Sequence, residues 1–129
     1  MRYVLDTHAL VWFLAKDKRL SEQVRDVIQD PLATLIVPAI VLAEAKHISD
    51  RKRIPGSFSE VLSSVTSSPN YTVAPLDIPT IGYLPDNLDI HDALVVATAL
   101  HVGQLYNDEV IILTMDLRIT ESPLTKTLW

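Results

Sequence analysis

Short apolar runs alternate along this chain with segments whose apolar residues recur at helical spacing. Tyr3-Val4-Leu5 sits in a run from Arg2 to Asp6 with no polar alternation, as in a strand buried on both faces. Thr34 to Val37, Tyr71 to Ala74 and Val110 to Leu113 read as three more strands, and Lys126 to Leu128 as a last edge strand. Helices are predicted from Thr7 to about Ala15, and from Ser21 to Gln29 with Val24, Val27 and Ile28 facing inward and Ser21 as N-cap. Pro38 suits the first turn of a helix that continues through Glu44 to roughly Arg51. Pro55-Gly56 reads as a break before a helix from Phe58 to Thr66. The stretch from Pro75 to Asp86, with its three prolines, predicts loop and a short helix at Ile78 to Tyr83. Asp89 to His101 carries the strongest helical spacing, with Gly103 placed as a C-cap, and Asp116 to Ile119 gives one more helical turn. Strands alternating with helices predict an α/β domain over residues 1–129, its mainly parallel sheet covered on both faces.

Composition narrows the chemistry. The chain has 129 residues, 48% of them hydrophobic, and a mean hydropathy of +0.22, enough to build a core without disulfides. It has no cysteine, so disulfides, zinc–thiolate sites, iron–sulfur clusters and thiol catalysis are all excluded. No stretch approaches the apolar length of a membrane span, and Asp6 interrupts the first apolar run too early for a signal peptide, so a cytoplasmic location is expected. The net charge of −5 argues against binding nucleic acid by bulk attraction. Two local groups soften that objection: Lys46, His47, Arg51, Lys52 and Arg53, and then Lys16, Lys18 and Arg19. Both fit phosphate contact and also the cationic ends of solvated helices.

Four acids then stand out, because each falls where an apolar residue or a turn is expected. Asp6 ends the first apolar run, and Asp116 follows Val110-Ile111-Ile112-Leu113. Glu44 shares a helix face with Ile40, Val41 and Ile48, and Asp92 shares one with Leu88, Val95 and Val96. Isolated carboxylates at such positions cost several kcal/mol unless something compensates them, most simply a metal ion. In a parallel α/β sheet, sites form beyond the carboxyl ends of the strands, and all four acids could converge there. Each also has an ordinary reading. Asp6 and Asp116 suit helix N-caps. Asp92 could pair with an N-cap at Asp89 in an acidic capping box, and Glu44 could be a partly exposed helix glutamate with Lys46 and His47 as charge partners. His8 and His91 flank Asp6 and Asp92, where they could support the site, touch a substrate or lie at the surface. His47 reads as a surface residue, despite its carboxylate-bundle spacing from Glu44, and His101 is not assigned to the site. Trp12, Phe13 and Leu14 fit core packing or a subunit interface.

The motifs Leu5-Asp6-Thr7-His8, Leu42-Ala43-Glu44, Asp89-Ile90-His91-Asp92-Ala93-Leu94 and Leu113-Thr114-Met115-Asp116 together resemble the PIN-domain ribonucleases. The opening Asp6-Thr7-His8-Ala9-Leu10-Val11-Trp12 resembles the toxins of VapBC toxin–antitoxin pairs. The likeness runs in order over essentially the whole chain. It implies a compact three-layer α/β/α sandwich, a Mg²⁺ or Mn²⁺ site, cleavage of RNA, a homodimer and a small antitoxin partner. It carries metal binding onto Asp6, Glu44, Asp92 and Asp116, and a supporting hydroxyl onto Thr114. Two departures are visible: Ile90-His91-Asp92-Ala93-Leu94 replaces the aromatic-and-arginine sequence many toxins carry at the third acid, and the residue before Glu44 is small.

On this reading Asp6 bridges the metal site, Asp92 and Asp116 complete it, and Glu44 binds a second ion or orients the attacking water. Thr7 and Thr114 hold the carboxylates in place. A catalytically silent PIN-like module that binds protein partners is the competing reading. A receiver-like phosphoacceptor would need paired acids after the first strand and a late lysine, and a metal-dependent phosphatase an Asp-x-Asp signature; the chain has neither.

Overall fold

The computed structural model describes residues 1–51 and 57–129, so the break expected at Pro55-Gly56 lies outside the described residues. Five strands form one sheet: β1 (Arg2–Leu5), β2 (Thr34–Pro38), β3 (Tyr71–Ala74), β4 (Val110–Leu113) and β5 (Lys126–Leu128). Their order is β3-β2-β1-β4-β5, and every neighbouring pair is parallel. The three central strands are the most apolar, as burial on both faces requires. Val4, Leu5, Leu35, Val37, Ile112 and Leu113 are fully buried.

Seven helices connect the strands among the described residues: α1 (Thr7–Leu14), α2 (Glu22–Gln29), α3 (Ala39–Asp50), α4 (Phe58–Ser67), α5 (Ile78–Ile81), α6 (Ile90–Tyr106) and α7 (Leu117–Thr120). Parallel connections are right-handed. The sheet grows from β1 towards β3 through α1 to α4, then returns through α5 and α6 to β4 and continues to β5. Helices of the first half therefore cover one face and those of the second half the other. The direction reverses between β1 and β4, and the crevice beyond their carboxyl ends is the topological switch point. The expected α/β/α sandwich is the fold observed.

Most starts and stops have local causes. Ser21 and Ser57 cap α2 and α4 by accepting from the Val24 and Glu60 amides. Trp12 is buried, and Phe13 and Leu14 are partly buried against the same core. One expectation fails. Gly103 does not end the strongest helix, which runs on to Tyr106 and stops at Asn107 in the left-handed conformation, φ 48°. Gly103 lies inside the helix, where an added Cβ would make ordinary van der Waals contact, 3.4 Å from the Asp108 carbonyl and 3.5 Å from Val110. Among the described residues, no helix is long and apolar enough to cross a membrane.

Candidate active site

The chain leaves β1 and β4 side by side, tied by the Asp6 amide donating to the Leu113 carbonyl at 3.1 Å. Asp6 follows β1 directly and caps α1, where its Oδ1 accepts from the Thr7 amide at 2.8 Å. Its Oδ2 accepts from the Thr114 hydroxyl at 2.7 Å, just past β4. That same hydroxyl accepts from the Asp116 amide at 3.0 Å, so Thr114 couples the first acid to the last. Asp116 in turn caps α7 through the Arg118 amide at 2.9 Å. The capping reading of Asp6 and Asp116 is thus correct, and it also fixes both carboxyl groups at the edge of the crevice.

Glu44 lies in α3, and the Thr7 hydroxyl donates to its Oε2. His91, in the first turn of α6, brings Nε2 to 3.0 Å from Glu44 and 3.4 Å from Asp6. Both neighbours are carboxylates, so Nε2 carries the proton. The partners suggested for Glu44 do not engage it. Lys46 pairs with Asp50 at 2.7 Å, and His47 is exposed. Asp92 is 3% exposed, and its Oδ2 is buried without a hydrogen bond. The Arg118 Nε stands 3.4 Å from it, unaligned for donation. The acidic capping box is not formed, because Asp89 caps α6 with no side-chain hydrogen bond. Asp89 turns instead to Arg118 Nη1 at 2.5 Å.

Asp6, Thr7, His8, Glu44, Asp89, His91, Asp92, Asp116 and Arg118 line one cleft of about 280 Å³. Its electrostatics follow from two opposed effects. Burial pushes the Asp6 carboxyl up, but hydrogen bonds from His91, Thr114 and the Thr7 amide outweigh it and hold Asp6 below the ordinary value. Asp92 goes the other way: burial, then the nearby Asp116 charge, raise it against the pull of Arg118 and His91. The hydrogen bond to Asp6 raises His91, against desolvation and with help from the Glu44, Asp6 and Asp92 charges.

The cleft holds five carboxylates against one guanidinium and one imidazole of raised pKa, so negative charge is in surplus. Oxygen donors in surplus, one of them buried and unsatisfied, are the donor set of a hard divalent cation. Asp6, Glu44, Asp92 and Asp116 could hold such an ion. Among the described residues, though, no three ligating groups are already drawn around one point. His91 bridges Asp6 to Glu44, and Arg118 reaches Asp89, Asp92 and Asp116. Sequence reasoning missed Arg118 altogether and left His91 open. A cation two residues after a capping acid was the available signal for the first, since a helical turn folds it back over the cleft. His101 lies elsewhere, with Nδ1 3.1 Å from the Thr80 hydroxyl.

The PIN domain family model matches residues 3–121. The chain belongs to the PIN domain family. Its fold is similar to a chain of the VapBC2 complex from Rickettsia felis, crystallised with a DNA fragment from their promoter. That likeness has a TM-score of 0.72 and 15% identity, over 100% of this chain and 99% of the other. It is also similar to the RRP44 PIN domain of T. brucei, with a TM-score of 0.58 and 10% identity, over 98% of this chain and 75% of that one. Among curated proteins, none matches the sequence.

Proposed function

We propose that this PIN-domain chain is a metal-dependent endoribonuclease that hydrolyses RNA phosphodiester bonds, and that it is the toxin of a type II toxin–antitoxin pair. One observation carries the reading: Asp6, Glu44, Asp92 and Asp116, which come from four separate segments, line a single cleft at the switch point of the sheet. The fold likeness to a chain of VapBC2 supports the toxin assignment. With it come a homodimer, a small antitoxin partner and a cytoplasmic location as parts of the same proposal.

In this reading Asp6, Glu44, Asp92 and Asp116 hold Mg²⁺ or Mn²⁺, and a divalent ion bound there supplies a water of lowered pKa and neutralises charge on the phosphate. The chain's own groups do the rest. Thr114 and Thr7 keep the Asp6 and Glu44 carboxylates aimed into the cleft. His91 holds a proton at Nε2, and Arg118 presents a planar set of donors; both are placed to pair with phosphate oxygens. Incubation of purified protein with mixed structured RNA, with and without Mg²⁺ or Mn²⁺, tests the proposal. Cleavage should require the ion, and intact RNA under every ionic condition would refute it.

A second reading, a catalytically silent PIN module that binds protein partners, draws on the way His91 and Arg118 already neutralise part of the acidic surplus. The same cleavage experiment separates the two.

A further inference from the structure

A chain of net charge −5 with an acidic cleft needs local cations to bring in a polyanion. A series of aromatic and cationic side chains runs from the cleft along α1. His8 is exposed and lines the cleft itself, and its ring rests on Trp12 with centroids 4.9 Å apart. Arg19 covers the same indole, its Cζ 4.4 Å from the ring centroid, while its guanidinium is held by the Asp17 carboxylate at 2.7 and 3.1 Å. Beyond it, Lys16, Lys18 and Arg25 line an open hollow of about 560 Å³ together with Phe13 and Leu14. Arg25 is anchored by donating to the Asp17 carbonyl at 3.2 Å. Lys16 and Lys18 form no ion pair among the described residues. From the cap at Asp6 to the end of α1 the path covers about 12 Å, at 1.5 Å rise per residue.

We infer that this path is the seat of the RNA strand flanking the cleaved phosphate, with a base stacked on the outer face of His8 and backbone phosphates on Lys16, Lys18 and Arg25. The inference deepens the nuclease reading and rests on it for the placement of the scissile bond. Stacking on an aromatic ring combined with a cationic groove is how single strands are held without sequence readout.

Fluorescence anisotropy of a short labelled uridine oligonucleotide, titrated with the full chain over a range of salt, tests this. An Asp6→Asn background keeps the RNA whole. In that background His8→Ala should weaken binding roughly ten-fold, while His8→Phe, which keeps a ring, should bind like the parent. Lys16→Asn with Lys18→Gln should weaken binding and flatten the plot of log K against log salt by about 1.4, two phosphate contacts on a single strand. Asn suits the left-handed backbone at Lys16, φ 54°, and circular dichroism checks that the variant is folded. A parent that fails to bind, or variants with unchanged affinity and slope, overturns the inference. If the unsubstituted chain cuts RNA while these variants bind like their parent, the path is wrong and the nuclease reading stands. If it cuts nothing while the variants still weaken binding, the nuclease reading falls, and the path stands as an RNA-binding surface without a scissile bond beside it.

Discussion

Two regions of this molecule are built from the same three residue types, with opposite outcomes. In the acidic cleft, Asp6 meets Thr114 and His91; in a second cleft between β2, β3, α5 and α6, Asp77 meets Thr80 and, through it, His101. At the second cleft every polar group named finds a partner. Asp77 caps α5, accepting from the Thr80 amide at 3.0 Å and its hydroxyl at 2.6 Å. Thr80 reaches His101, whose ring stacks on Tyr83 at 5.5 Å. In the acidic cleft the polar groups outnumber their partners, and Asp92 Oδ2 is left buried and unsatisfied. Residue type alone does not distinguish a candidate site from a structural network. Charge in excess of what the fold neutralises does, because the fold gains nothing from it and a ligand can.

The sharpest break in the comparison comes from matched substitutions. Asp6→Asn should keep α1, since Asn caps a helix about as well as Asp. It should cost RNA cleavage more than the roughly 100-fold typical of losing a group that merely supports a metal ligand. Asp77→Asn should leave cleavage rates unchanged. Equal rates for the Asp6 variant and the parent would remove Asp6 from the chemistry.

Next in size is Thr114→Val, which removes the donor to Asp6 Oδ2 and the acceptor of the Asp116 amide in one step. Cleavage or metal affinity should fall roughly 10- to 100-fold, and unfolding free energy by about 1–3 kcal/mol, the cost of buried groups left unpaired. Thr80→Val, its counterpart in the second cleft, should lower stability but not cleavage. An active Thr114 variant would separate the two acids that the hydroxyl now joins.

What the sequence disclosed and what it withheld follow from where the information lies. Strands were legible because β1, β2 and β4 are buried on both faces and therefore carry unbroken apolar runs. The Ser21 cap, and Asp6 and Asp116 at strand ends, are local signals, so their positions could be read directly. The end of α6 could not, because a glycine that stops a helix looks the same in sequence as one inside it; Gly103 is the second kind. The cationic side of the cleft was hidden for a different reason. Glu44 looks to Lys46 and His47 along its own helix, yet its partners are Thr7 and His91, 37 and 47 residues away in sequence. Arg118 reaches Asp89 across 29 residues. Such pairings exist only after the sheet has assembled.

Asp92 tests whether the surplus is a burden on the fold. Burial and the Asp116 charge both disfavour its ionised form. Asp92→Asn should therefore raise metal-free stability by on the order of 1 kcal/mol, the usual size when a functional group is traded for stability. Its exposed neighbour Arg118 loses little. The parent should gain about 2.7 kcal/mol from Mg²⁺ at a hundredfold excess over Kd, and the variant far less. Thermal melts with and without the ion give both quantities, and a variant less stable than the parent without metal would show that Asp92 is structural.

The smallest effect, and the one that sets the two regions apart by sign, is their response to acid. Asp77 is held below the ordinary value near 3.8, first by the Thr80 hydroxyl and then by the Thr80 amide. A carboxyl depressed in the folded state contributes stability that is present above its unfolded pKa and lost as pH falls through the folded one. Asp92 is raised, so its contribution is present at low pH and lost as pH rises through its folded pKa. As pH falls from neutral, acid should therefore relieve the Asp92 penalty before it reaches the Asp77 network; only further acid, below the ordinary carboxyl value, should weaken that network. Urea midpoints of the parent, Asp77→Asn and Asp92→Asn across this range measure both. The Asp77 variant should trail the parent at neutral pH and draw level once acid has protonated the depressed Asp77 carboxyl. The Asp92 variant should lead at neutral pH and lose its lead first. A lead that persists after Asp92 has taken up its proton would mean that the gain comes from shape rather than charge, and the cleft would no longer differ in kind from its counterpart.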